Sequence, residues 1–167
     1  MNIDLSEFIS RLYAIILSLS LLPDIETPTP SCHTSDVRPL KTQSVADMLF
    51  RALNTVFSPQ TFGAAAPPWR SAAFAKRLLT ASLHWPPAVT LRALDFIGGL
   101  LAKDPKLGAL LSTEDRTFDG LYRPDIDDPQ LCNPFGTSFW ELFALLQNHW
   151  DVRVRDAAQQ LANFTRP

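Results

Sequence analysis

Apolar residues recur along this chain with the 3.6-residue period of an α-helix, and nowhere with the two-residue alternation of a strand. Leu5, Phe8, Ile9, Leu12, Ile16 and Leu19 mark one face of a first helix. Tyr13, Ile15 and Leu17 add a second apolar face, so this helix is expected to be covered on more than one side. Pro23 and "ETPTPS" end it, and residues 23–41 read as a long loop. A second helix is expected from about Ser44, where Asp47 stands three residues on as a capping-box variant. Its predicted inner face is Val45, Met48, Leu49, Ala52, Leu53 and Val56. Pro59, Gly63 and "AAAPP" then break the pattern.

Proline suits the first helical position, because its fixed φ is already helical and its missing N–H would have had no partner there. Pro68 therefore opens a third helix running to about Leu83, with Phe74, Ala75, Leu78 and Leu79 inward. Pro86-Pro87 opens a fourth, roughly 87–102, whose Leu91, Leu94, Ile97, Leu100 and Leu101 give a wide apolar surface. Gly98-Gly99 within it costs about 1 kcal/mol per glycine relative to alanine. Close approach of another helix would offset that cost. "DPKLGALL" (104–111) reads as a short helix with Asp104 as N-cap, and Phe139, Leu142, Phe143 and Leu146 mark the next. The last carries Val154, Ala157, Ala158 and Leu161. The fold class is all-α, an irregular HEAT/armadillo-like helical solenoid of antiparallel helix pairs, and residues 1–167 read as a single helical-repeat domain cut from a larger protein.

Composition narrows the function. Hydrophobic residues make up 46% of 167, which excludes a disordered chain. The formal net charge of −2 argues against a dedicated nucleic-acid binder, which carries a basic excess. Cys32 and Cys132 stand far apart without metal-type spacing, and lone thiols suit a reducing compartment. The apolar run "LYAIILSLSLL" is too short to span a bilayer and follows Asp4, Glu7 and Arg11, so it reads as a buried helix and no membrane is expected.

Candidate chemistry concentrates in "GLYRPDIDDPQLCNP" (120–134). Residues 112–133 hold six acids against two arginines. A calcium loop starting at Asp125 would need Gly at its sixth position and Glu at its twelfth, but Gln130 and Gly136 stand there. The structural reading explains more. Asp128 precedes Pro129 and Asn133 precedes Pro134 as N-cap before first helical position, while Asp125 or Asp127 can pair with Arg123 or accept loop N–H groups. Tyr122 belongs to the same segment. A partner-facing role is the next alternative, and metal binding or catalysis the last. Ser138, His149 and Asp151 lack a nucleophile elbow, and neither a P-loop nor a dinucleotide fingerprint is present. No catalytic residue, metal, cofactor or small-molecule substrate is expected.

"NHWDVRVRDAAQQLANF" (148–164) resembles the second helix of a HEAT or armadillo repeat through Asp151, Val154, Arg155, Ala158 and Leu161. In such repeats the Asp and Arg commonly bond between units; alone, Arg155 reads rather as a solvated charge. From Pro86 to Phe164 the order of motifs is more particular: an apolar helix, "DPKL", "YRPDIDDPQLCNP", an aromatic "FWEL" helix and a final "VRVRDAAQQL". That order resembles the C-terminal domain of the CCAAT-binding-factor (CBF) family, and within it the nucleolar-complex (Noc) proteins. "NIDLSEFISRLYAIILSLSL" is similar to the helix preceding this region in the family.

The resemblance implies a non-enzymatic scaffold for large (60S) ribosomal subunit maturation and transport. It implies a place in nucleolus and nucleoplasm, with the second Noc protein and pre-60S particle proteins as partners, and a link to initiation of DNA replication. It also implies RNA nearby, for which Arg70, Lys76 and Arg77 on the third helix are the candidate contacts, with Lys103, Lys106, Arg153 and Arg155 elsewhere. Scattered charges of this kind are more usually solvated surface. Val152 and Phe164, outside the main stripe of the last helix, are expected in an exposed apolar patch that a partner covers.

Overall fold

The computed structural model describes residues 5–28, 43–58, 67–112 and 120–164. Among them the secondary structure is helical, with no strand and one isolated bridge, Pro28 to Ser44. The loop expected at 23–41 lies outside the described residues beyond Pro28, and so do Cys32 and, in the acidic loop, Glu114, Asp115, Arg116 and Asp119.

The first helix, α1 (Ser6–Leu19), buries Ile9, Leu12, Tyr13 and Ile16. Of its two expected apolar faces, the second splits: Tyr13 is fully buried, whereas Ile15 is exposed. Helix α2 (Val45–Val56) begins at the expected capping box. Ser44 Oγ accepts the Asp47 N–H at 3.1 Å, and Asp47 Oδ2 accepts the Ser44 N–H at 3.2 Å. Its inner face is turned from the predicted one, since Ala46 and Phe50 are buried and Met48 is half exposed. Outside that face, Asp47 pairs with Arg92 at 2.9 Å, and the same guanidinium lies 4.5 Å from the Phe50 ring centre.

Helices α3 (Pro68–Ser82) and α4 (Pro87–Lys103) both start on proline, as the spacing predicts. The 3-10 helix Pro105–Leu111 follows, with Asp104 Oδ1 accepting the Lys106 N–H at 3.1 Å. After a further 3-10 turn at Pro134–Gly136 come α5 (Trp140–Asn148) and α6 (Val152–Ala162). Helix α3 is the axis of the packing. It touches α1, α4, α5 and both 3-10 helices, while α6 packs on α4 and α5. Edge-to-face ring contacts at 5.2–5.6 Å run Tyr13–Phe74–Phe57–Phe96 and so join α1, α3, the end of α2 and α4. At the C-terminal end of α1, the Trp85 indole N–H donates to the Leu19 carbonyl at 3.1 Å.

Every residue from Ser71 to Leu79 is buried. A helix enclosed on all sides is normally apolar all round. This one carries Lys76 and Arg77 at 1% exposure, so its polar groups must find partners inside.

Close approach accounts for one of the two α4 glycines. A Cβ on Gly98 would meet Leu161 Cδ1 of α6 at 3.3 Å, whereas a Cβ on Gly99 would meet nothing within 4 Å. The end of the chain also packs inward. Phe164 is partly buried and lines, with Leu91, Leu94 and Gly98, the groove between α4 and α6. It is therefore not the exposed patch position that the sequence pattern suggests, although Val152 is, at 53% exposure. Phe164→Asp should disturb this packing, not merely a surface.

The glycine pair offers a stability test. Gly99→Ala should stabilise the protein by about 0.5–1 kcal/mol through backbone entropy and helix propensity. Gly98→Ala should gain less or lose, because Leu161 must shift. Chemical denaturation midpoints of the two variants check the difference.

Candidate functional site

The segment Gly120–Pro134 has little secondary structure to hold it, so its shape comes from side chains below it. The principal one is Arg77. Its Nη1 donates to Asp127 Oδ1 at 2.7 Å and to the Tyr13 carbonyl at 3.2 Å. Its Nη2 donates to the carbonyls of Pro124 at 3.0 Å and Ile126 at 2.9 Å. The guanidinium plane sits 3.8 Å from the centre of the Tyr13 ring. One planar cation thus gathers a carboxylate, two loop carbonyls, a helix carbonyl and an aromatic face, which the forked geometry of arginine permits and a lysine ammonium would not.

Lys76, one residue earlier, points along a different radius of α3. Its Nζ donates to Glu141 Oε2 and to the Ser138 carbonyl, both at 2.7 Å. Thr80 Oγ1 donates to the other carboxylate oxygen of Glu141 at 2.7 Å. Both ions of the pair are essentially inaccessible, at 1% and 0% side-chain exposure. Burial pulls the Lys76 ammonium below its ordinary range, and the Glu141 charge opposes that. The rings of Trp140 and Tyr122 lie 5.0 and 5.6 Å from Nζ, near enough for cation–π attraction.

Within the loop, the Arg123 N–H donates to the Cys132 carbonyl at 2.8 Å, closing the segment on itself. Asp128 Oδ1 accepts the Gln130 N–H at 2.8 Å, and its carbonyl accepts the N–H groups of Leu131 and Cys132. Asp128 therefore shapes a turn, not the helix that Pro129 suggests. Asn133 also differs from the expected cap: it takes the left-handed conformation (φ 48°) and makes no side-chain cap bond to Pro134–Gly136. Asp125 reaches Arg123 at 3.8 Å on the exposed side. Asp127 is paired with Arg77 instead. Gly136 is required by close approach, since a Cβ there would lie 2.7 Å from the Tyr122 nitrogen and 2.8 Å from the Gly120 carbonyl oxygen. Beneath the loop, burial raises the Cys132 thiol, lifts Tyr122 to about 12, and pushes the Tyr13 hydroxyl up further.

Lys76, Arg77, Asp127 and Glu141 are bound to one another and to backbone here. Their arrangement clamps a loop onto a core helix. Among the described residues no group of three or more His, Cys, Asp or Glu side chains could hold a metal ion.

This corrects the basic-face expectation. Lys76 and Arg77 are buried structural cations and present nothing to RNA phosphates; Arg70 alone of the three is partly exposed, near the start of α3 beside the Trp69 ring. In the repeat-like motif Val154, Ala158 and Leu161 are buried as expected. Asp151 caps α6 through the Arg153 N–H at 2.9 Å and pairs with the Arg153 guanidinium at 2.7 Å. Arg155 Nη1 donates to the carbonyls of His149 at 2.7 Å and Trp150 at 3.2 Å. These bonds are local to the turn before α6. The Lys76–Glu141–Thr80 cluster was not foreseen, although Glu141 inside the apolar "SFWELFALL" was a visible signal.

Fold and site together define an all-α domain in which a proline- and aspartate-rich loop is fastened to a buried cationic helix. The chain belongs to the CBF/Mak21 family, whose model matches residues 1–158. Nucleolar complex-associated protein 3 of Saccharomyces cerevisiae is 32% identical over 172 residues, covering 99% of this chain and 25% of that protein. Its namesake in Schizosaccharomyces pombe is 30% identical over 99% of this chain and 22% of the relative. Nucleolar complex protein 3 of Drosophila melanogaster is 40% identical over 94 residues, 56% of this chain and 11% of the relative. The chain thus spans about a quarter of the length of the yeast relatives it matches.

Two measurements test the site. Lys76→Met strands a buried carboxylate and should cost about 3–5 kcal/mol, while Lys76→Met with Glu141→Leu should recover most of that. A double-mutant cycle from urea unfolding gives the coupling; additive costs would contradict it. Asp151 is held at about 2, below its ordinary 3.8, chiefly by its bond to Arg153. A lowered folded value means stability that is complete above about pH 4 and lost as pH falls toward 2. Asp151→Asn, which can still cap, should flatten that acid slope in melting temperature against pH.

Proposed function

We propose that this chain is a non-enzymatic scaffold domain of a nucleolar complex, acting in maturation and transport of the large ribosomal subunit. The observation that carries the reading is family membership joined to the names of the relatives, which are nucleolar complex proteins matched over 99% of this chain in yeasts. The site supports it, because the loop with the most chemistry-bearing residues is committed to structure through Arg77 and Asp127. A second nucleolar-complex protein and proteins of the large-subunit precursor are the partners, and nucleus, nucleolus and nucleoplasm the place. Helices α5 and α6 serve as a repeat-like unit, on which exposed Trp140, Phe143 and Val152 offer apolar contact area to such partners.

The test is affinity purification of the tagged protein from cells, with its associated proteins and RNA identified. Large-subunit precursor rRNA and another nucleolar-complex protein should be enriched together. Enrichment of small-subunit precursors alone, or of no ribosomal material, would overturn the proposal.

A further inference from the structure

We draw no further inference here: the strongest candidate, the groove along the outer face of α4 where Gly99 leaves open space between Phe57 and Phe96 on one side and Phe164 on the other, is an unpartnered surface, and nothing in the structure shows what covers it.

Discussion

The guanidinium of Arg77 is the constraint from which the lower half of this molecule takes its form. It is almost completely buried, and a buried charge is tolerated only when its solvation is replaced by bonds of comparable strength. Four acceptors supply that replacement: the Tyr13 carbonyl, the Asp127 carboxylate, and the carbonyls of Pro124 and Ile126. These acceptors come from α1 and from the loop. The cation on α3 therefore dictates how a segment with no regular backbone ladder of its own must lie. Of the described loop carboxylates, Asp127 is the other end of such a bond, while Asp128 shapes a turn and Asp125 faces Arg123 on the exposed side.

Lys76 does the same on an adjoining radius of α3, but toward α5. A buried ion pair contributes little net stability against an apolar replacement, because both charges lose water. Its effect is positional: Glu141 and the Ser138 carbonyl must meet Nζ, which sets where α5 begins. Thr80 binds the remaining carboxylate oxygen, so α3 holds Glu141 from two successive turns. Two neighbouring cations on one helix thereby organise two different downstream segments. A helix buried all round can do this because each direction from its axis meets a different partner.

The ends of the chain's second half contrast. At the loop, Arg77 draws two carbonyls and one carboxylate inward; at the α5–α6 turn, internal bonds hold a large aromatic outward. Arg155 spends its hydrogen bonds on the carbonyls of His149 and Trp150 and so stiffens the turn. A scaffold needs both kinds of element, a fixed interior and rigid displayed groups, because preorganised contacts lose less entropy on binding.

Much of the fold was legible from local rules. Capping at Ser44 and Asp47, the prolines that open α3 and α4, and the Asp104 cap are fixed by groups within a few residues of one another, so the chain alone determined them. The buried stripe of Val154, Ala158 and Leu161 followed from period alone. The family was also readable, because several motifs in a set order identify it without any geometry. Lys76 and Arg77 were not readable. Their partners lie 47 to 65 positions away, and nothing local distinguishes a lysine that will be enclosed from one that will be solvated. Asp127 was open for the same reason, since pairing with nearby Arg123 is the shorter-range choice and only packing on α3 makes Arg77 the partner. Local hydrogen bonds and helical period are properties of neighbouring residues, which the sequence specifies directly. Which charges are denied water depends on the simultaneous placement of α1, α3, α5 and the loop, and that was decided only by the tertiary structure.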